Sequence, residues 1–374
     1  MILIKNAKVP QSNNRVINLD ILYDEAKGEI IETGHGLNHN SSTQINAGGD
    51  YILPMFTDIY TRICSPDDDI STEMCAKWGG YSDILVISDT KHQTEYCNFH
   101  TVDSLNISLL ESNHTLNIEE LENFMKKSAQ ENRLLIASPQ KNPLFQNSCA
   151  TRGRTASLLK LPCEPSYIEA RSVYEYILLA KETNCRLHIR GISTKESIEL
   201  IKNAKNSGVK LSCSTSPCYF SFTDEDTVFI GSNAKVYPPL RSADDKAAVI
   251  KAISDGTIDC IDSDHTPVSS EGKSYNIIAS TEGAIGLQTV FCAVCTYLLM
   301  PGYIDIFRLC ELLCQNPSKI LGIQKPDFIT KGKMSFILAS VSEDFILTKS
   351  NLISNAKNSP YIGMSLCGNI KNVF

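Results

Sequence analysis

The stretch that decides the fold runs from residue 53 to residue 67 and reads Leu-Pro-Met-Phe-Thr-Asp-Ile-Tyr-Thr-Arg-Ile-Cys-Ser-Pro-Asp. An apolar start leads into alternating Asp58, Tyr60 and Arg62, and a Ser-Pro turn follows. Because the side chains of a strand alternate between its two faces, Tyr60 and Arg62 are predicted to project from one face. The stretch therefore predicts a buried strand that presents polar side chains at its carboxyl end.

Both ends of the chain are predicted to be rich in strands. Short alternating apolar segments are separated by Asn, Gly and Ser, which favour turns. The clearest segments are Ile2–Ile4, Leu19–Tyr23, Glu29–Glu32, Gln44–Asn46, Tyr51–Leu53, Phe336–Ala339 and Phe345–Thr348. We expect residues 1–53 and 326–374 to form one small composite β-sandwich.

The centre of the chain, residues 54–325, alternates strands with helices at the spacing of β/α units. The predicted strands include Asp83–Ile87, Arg133–Ala137, Arg186–Ile189, Val209–Cys213 and Thr257–Ile261. The predicted helices include Ile118–Gln130, Ser166–Thr183, one capped at Ser193, Asp244–Ser254, Thr289–Met300 and Ile304–Cys314. This succession predicts an α/β fold, a (β/α)8 TIM-type barrel whose active site would lie at the carboxyl ends of its strands.

Composition and charge narrow the class of protein. The chain has 374 residues, of which 42% are hydrophobic, and this suits one barrel-sized domain with an appendage. A net charge of −7 is unfavourable for a nucleic-acid-binding groove. We see no apolar run of the roughly 18 residues that a membrane span requires, and the first residues read as a strand rather than a signal peptide. A cytoplasmic protein is therefore expected.

The fourteen cysteines are spread through apolar segments. Cys292, Cys295, Cys310 and Cys314 have spacings that zinc ligands also use, but they fall among Val, Ala, Leu and Phe at helical spacing. We interpret them as small buried hydrophobic residues rather than as metal ligands.

Seven strings of residues, in order along the chain, resemble the dihydroorotases, cyclic amidohydrolases of the metal-dependent amidohydrolase superfamily. The opening stretch is similar to the family motif Leu-Pro-Gly-Phe-x-Asp-x-His-x-His-x-Arg-x-Pro-Gly, of which Leu53, Pro54, Phe56, Asp58 and Pro66 remain. The other strings begin at Ile192, Lys235, Asp255, Asp264, Gln315 and Asn358. One such string is weak evidence, but seven in the right order and spacing identify the chain as a member of this family.

The resemblance implies a binuclear zinc centre whose ligands are absent from this chain. The family uses a histidine pair on the first barrel strand, two later histidines and a bridging carboxylate. The matching positions are Tyr60, Arg62, Ala137 and Gly191, with the bridging position near Ser112 or Asn113. Ala and Gly have no ligand atom, and an Arg guanidinium stays positively charged. Although zinc is expected for the family, we predict no metal and no other cofactor here.

The family's substrate-binding positions are also replaced. The matching residues here are Cys64, Asp89, Tyr237 and Val268. Asp89 would repel the carboxylate of dihydroorotate or carbamoyl aspartate. Only Asp264, the family's general acid/base, and its neighbour His265 remain, and we interpret them as vestigial and structural. His188 is interpreted as a core or second-shell histidine.

The loss of metal suggests a compensating charge. Arg62 and Asp264 are both predicted to point into the barrel mouth, from its first and last strands. A buried carboxylate without a counter-charge is costly. We therefore predict an ion pair between them, in which a guanidinium stands in for the metal cations.

Three functions follow from the resemblance. The first is a pseudoenzyme of pyrimidine biosynthesis, a non-catalytic subunit that helps assemble the catalytic chain of aspartate carbamoyltransferase in a homo- or hetero-oligomer. The second is a divergent cyclic amidohydrolase with an atypical site, in which Asp264 and His265, together with His188 or Asp89, act without zinc or hold one metal through unusual ligands. The third is a sensor that binds a small anion through Tyr60, Arg62 and Tyr237.

Overall fold

The structure is a computed structural model and describes residues 1–40, 43–64, 68–88 and 96–374. The strands are β1 (Ile2–Gln11), β2 (Arg15–Asp24), β3 (Glu29–Gly34), β4 (Thr43–Asn46), β5 (Tyr51–Pro54), β6 (Phe56–Arg62), β7 (Tyr81–Ile87), β8 (Asn98–His100), β9 (Ile107–Leu110), β10 (Leu134–Ala137), β11 (Ala150–Thr151), β12 (Cys163–Glu164), β13 (Arg186–Ile189), β14 (Leu211–Thr215), β15 (Cys260–Ile261), β16 (Gly332–Lys333), β17 (Phe336–Ile346) and β18 (Ser365–Val373). The α-helices are α1 (Asp68–Gly79), α2 (Ile118–Gln130), α3 (Arg154–Leu159), α4 (Tyr167–Thr183), α5 (Lys195–Asn206), α6 (Pro217–Ser221), α7 (Thr227–Ile230), α8 (Ala243–Ser254), α9 (Val290–Val294), α10 (Ile306–Cys310) and α11 (Asn316–Leu321). None of these helices is both long and apolar enough to cross a membrane.

Strands from both ends of the chain share one eight-stranded sheet. Its order is β16-β3-β2-β1-β5-β17-β18, and β4 pairs with β1. β5 runs antiparallel to β17, so that Leu53 lies opposite Ile337. The core of this domain includes Tyr23 from β2 and Phe336 from β17. Their rings pack edge to face, with centroids 5.1 Å apart. The predicted β-sandwich domain with contributions from both termini is confirmed, while its boundaries stay a prediction.

The barrel consists of eight short parallel strands in two sheets. One sheet has the order β6-β7-β8 and the other β15-β14-β13-β10-β9. The barrel closes where the Arg62 N–H in β6 donates to the carbonyl oxygen of His265, in the segment after β15, at 2.8 Å. Beside this contact the buried Asp58 carboxylate accepts hydrogen bonds from the Ser263 N–H and hydroxyl, both at 2.7 Å. The predicted (β/α)8 barrel is thus confirmed, and Asp58 stabilises its closure.

The predicted helix boundaries were most accurate where a capping residue and the spacing of apolar residues indicated the same start. Helix α2 has the predicted bounds and is capped by Asn117 through a reciprocal bond with Glu120. The cap predicted at Ser193 is wrong by one residue, because the Ser193 hydroxyl donates to Glu169 and Thr194 accepts from the Ser197 N–H instead. The helices predicted over 289–300 and 304–314 are each a short α-helix continued by a π-helical segment, Cys295–Leu299 and Glu311–Gln315.

Candidate site at the barrel mouth

The carboxyl ends of the barrel strands open into a pocket of about 260 Å³. It is lined by most of the positions that the sequence singles out, namely Tyr60, Arg62, Cys64, Ser112, Asn113, Tyr237, Asp264 and Val268. Ala137 is fully buried at the end of β10, and Glu111 directly follows β9, next to the predicted bridging position at Ser112 or Asn113. Asp89 lies outside the described residues. The sequence therefore predicted the location of the pocket but not all of its charged groups.

One charged cluster joins the end of β6 to the end of β9. The Tyr60 hydroxyl donates to Glu111 Oε1 at 2.8 Å and accepts from Arg62 Nη2 at 3.0 Å. The same guanidinium forms an ion pair with Glu111. The predicted ion pair between Arg62 and Asp264 is therefore wrong, because Glu111 and the Tyr60 hydroxyl together engage the Arg62 guanidinium on the other side of the mouth.

The cation that does pair with Asp264 is Arg190, which follows β13. Its Nη2 contacts the Asp264 carboxylate and lies 3.4 Å from Asp262 Oδ1. Its Nη1 donates to the Ser138 hydroxyl at 3.1 Å. The guanidinium carbon lies 3.5 Å from the centroid of the Tyr60 ring, and only 6% of the side chain is exposed.

The two carboxylates that face Arg190 are held differently. Asp262 is fully buried and also accepts a hydrogen bond from the Ser214 hydroxyl. Asp264 adopts a left-handed backbone with φ of 46° and lines the pocket. Burial raises the pKa of Asp264, and the positive charge of Arg190 opposes this shift. The arrangement makes Asp264 part of an ion-pair network rather than a free general base.

Neither histidine near the site reaches the pocket. His265 lies in the segment after β15, is buried, and forms bridges with Thr61 and Ala284. Its Nδ1 accepts a hydrogen bond from the Gly286 N–H at 3.2 Å. His188 lies between the Ser212 and Ser214 hydroxyls, at 2.8 and 3.1 Å. Burial lowers the pKa of each imidazole to about 3, so both are neutral at ordinary pH. His188 is thus a core histidine.

The rim of the pocket is made of side chains that contact each other. Lys141 forms an ion pair with Glu282, and its Nζ lies 4.7 Å from the centroid of the Tyr237 ring. The Cys64 thiol donates to the Pro267 carbonyl oxygen at 3.3 Å. Burial raises the pKa of the Tyr237 hydroxyl well above its usual value. Each substituted substrate-binding position that the structure describes therefore takes part in the pocket wall.

The residues present do not fit a zinc centre. Zinc sites use three or four Cys, His or carboxylate ligands in tetrahedral geometry. Two of the four expected positions, Ala137 and Gly191, offer no side-chain donor, and Arg62 offers only positively charged N–H groups. Within the described ranges no three His, Cys, Asp or Glu side chains are grouped so as to hold a metal ion.

No family model matches the chain. Individual relatives do match over its whole length. It is 30% identical to the dihydroorotase of Acetivibrio thermocellus over 411 aligned positions, covering 98% of this chain and 96% of the relative. It is 29% identical to the dihydroorotase of Caldicellulosiruptor saccharolyticus, covering 100% and 96%.

A solved structure supports the same fold. The L-hydantoinase (dihydropyrimidinase) of Arthrobacter aurescens superposes with a TM-score of 0.82 at 22% identity, covering 100% of this chain and 94% of that one. With the barrel, the composite sheet and the seven matching strings, these likenesses give one assignment. The chain belongs to the dihydroorotase family of the amidohydrolase superfamily.

Proposed function

We propose that this chain is a non-catalytic dihydroorotase homologue of pyrimidine biosynthesis and an assembly partner of the aspartate carbamoyltransferase catalytic chain. The observation that carries the proposal is the pair of arginines at the mouth. Arg62 and Arg190 place two fixed positive charges among Glu111, Asp262 and Asp264, at the end of the barrel where the family holds its metal ions.

The chemistry of ring opening supports the loss of catalysis. Hydrolysis of a cyclic amide needs an activated water, which the family obtains by lowering the pKa of metal-bound water. Here Asp264, the family's acid/base, is held against Arg190 instead. The guanidinium favours the charged form of the carboxylate and so opposes the rise that burial causes in the pKa of Asp264.

A role as the partner of another protein fits a barrel that keeps its fold while its zinc-ligand positions are substituted. Three large apolar side chains are strongly exposed in segments that follow the carboxyl ends of barrel strands, and segments of this kind lie at the mouth end of a barrel. They are Leu144 after β10, Phe229 after β14 and Tyr275 after β15. Exposed apolar side chains on one side of a protein favour a protein contact there. The choice of aspartate carbamoyltransferase comes from the family resemblance.

The test is co-expression with the aspartate carbamoyltransferase of the same organism, followed by size exclusion with light scattering. We expect one species that contains both chains and that persists on dilution to micromolar concentration. A Leu144→Glu/Phe229→Glu variant is expected to release the partner, whereas Ile346→Glu, an exposed apolar position in β17, serves as the matched control. Separate elution of the two wild-type chains would refute the proposal.

A divergent hydrolase is the second candidate, and the observation in its favour is that Asp264 lines an open pocket. It predicts interconversion of dihydroorotate and carbamoyl aspartate by the wild-type protein that Asp264→Asn abolishes. The anion sensor has less support, because Arg62, Arg190 and Lys141 are each paired with a carboxylate.

A further inference from the structure

We infer that Arg190 is a built-in counter-cation, which takes the place of a metal ion between Asp262 and Asp264, and that its removal opens a site for a divalent cation. The inference concerns the chemistry of the barrel mouth. It rests on the same arginines as the proposed loss of catalysis, but it does not require binding to aspartate carbamoyltransferase, so the partnership and this inference can fail separately.

The geometry places three oxygen-bearing side chains around one guanidinium. Asp262 and Asp264 come from the segment after β15, and Ser138 comes from the end of β10. The Tyr60 ring covers the guanidinium. The exposed fractions are 6% for the Arg190 side chain, 16% for Asp264 and zero for Asp262, so water screens these charges only weakly. Two buried carboxylates side by side require a positive charge between them.

The neighbours of Arg190 are consistent with such a replacement. Ala137 and Gly191, which match histidine positions of the family, lie directly beside Arg190, since the Arg190 N–H donates to the Ala137 carbonyl oxygen at 3.0 Å. Both are small, and a Cβ on Gly191 would meet only Pro238 Cδ, at 3.5 Å. The space next to the guanidinium is therefore not filled by a competing ligand side chain.

The donor set defines which cation would enter once Arg190 is removed. Two carboxylates and a hydroxyl are oxygen ligands, which suit hard cations such as Mn²⁺, Mg²⁺ and Ca²⁺ more than zinc. In the wild-type protein the guanidinium is always charged and occupies this position. The wild-type barrel should therefore be indifferent to divalent cations.

The test compares thermal unfolding of the wild-type protein and Arg190→Met, each treated with EDTA and then measured with and without 1 mM MnCl₂. Breaking a buried ion pair from one side is strongly destabilising, so Arg190→Met is expected to unfold roughly 5–10 °C lower. Mn²⁺ is expected to restore at least half of this loss and to leave the wild type unchanged.

Two further variants test the location of the site. Arg190→Met/Asp264→Asn lacks one ligand and should not respond to Mn²⁺, and Arg62→Met, which frees only Glu111, should not respond either. An Arg190→Met protein as stable as the wild type, or a Mn²⁺ response that persists in the double variant, would overturn the inference. If Arg190→Met does not fold, calorimetric titration of the wild type with Mn²⁺ and Zn²⁺ decides, because binding that Asp264→Asn abolishes contradicts the inference and its absence supports it.

Discussion

The guanidinium of Arg190 lies on the ring of Tyr60, with its Cζ 3.5 Å from the ring centroid. Tyr60 occupies a position that carries a histidine in the family, and its hydroxyl also joins Arg62 to Glu111. One aromatic side chain thus connects both charged clusters of the mouth.

Shortening Tyr60 in two steps should separate its two roles. Tyr60→Phe removes the hydroxyl that contacts Arg62 and Glu111, and we expect a loss of about 1–2 kcal/mol in the free energy of unfolding. Tyr60→Leu also removes the ring beneath Arg190 and should cost about 1–2 kcal/mol more. Urea unfolding measures both, and equal stability of the two variants would contradict a role for the ring.

A double-mutant cycle distinguishes the observed partner of Arg62 from the one that the sequence suggested. Arg62→Met and Glu111→Gln should show a coupling energy of about 1 kcal/mol, modest because the arginine side chain is 35% exposed. The same cycle with Asp264→Asn should give less than about 0.3 kcal/mol. A larger coupling to Asp264 than to Glu111 would show that the ion pairs are arranged differently in solution.

The buried histidines should make stability fall in acid. Burial disfavours the charged ring and lowers the pKa of His188 to about 3 in the folded chain. In the unfolded chain the pKa has its unperturbed value of 6.5. Below pH 6.5 the unfolded state therefore binds the proton that the folded state refuses, and stability is lost as the pH falls from 6.5 towards 3.

His188→Gln should remove this contribution, which is at most about 1.4 kcal/mol per pH unit. The measurement is the free energy of unfolding at several pH values between 4 and 6.5. The slope of the variant should be smaller than that of the wild type, and an unchanged slope would rule out His188 as a source of acid sensitivity.

Restoring a side chain at position 191 should be costly. Gly191 has a φ of +70°, and left-handed backbone of this kind disfavours any residue with a Cβ. We expect Gly191→Ala to lower the free energy of unfolding by about 1–2 kcal/mol, although the Cβ itself has room. Gly153→Ala is the matched control, because Gly153 has an extended φ of 179° and should tolerate alanine.

Alkylation of the folded protein should leave most cysteine thiols unmodified. Eleven of the fourteen cysteines are buried, and burial raises the pKa of Cys218 and Cys292 to about 12. Iodoacetamide at pH 8 is expected to modify only Cys64, Cys163 and Cys367, as counted by intact mass and peptide mapping. Rapid modification of Cys292 or Cys295 without unfolding would contradict their burial in the core.

The sequence predicted the architecture well, because strand alternation, helix caps and the family strings are local signals. It also predicted most of the positions that line the mouth, although Ala137 and Gly191 do not line it. It missed Glu111, Arg190 and Asp262, which carry most of the charge there. Each directly follows a short barrel strand, and only the closed barrel determines which of these ends face one another. One signal in the sequence could have indicated Arg190. It directly precedes Gly191, which stands where the family has a histidine ligand.

The spacing of apolar residues could not predict the two π-helical segments either. Cysteine and leucine at spacings of three and four suit an α-helix, and the wider turns at Cys295–Leu299 and Glu311–Gln315 depend on what packs against them. At Gly368, for example, a Cβ would come within 2.9 Å of the Cys295 side chain, so this helix and β18 approach very closely.

The composite sheet has a consequence for synthesis on the ribosome. β5 is placed between β1 and β17, and β17 begins only at Phe336. At typical elongation rates of about 5–20 residues per second, the edge of β5 waits on the order of tens of seconds for its partner. During that interval one edge of this apolar strand has no partner, and an unpaired edge can pair with other chains, so the nascent chain is most prone to aggregate before β17 is made.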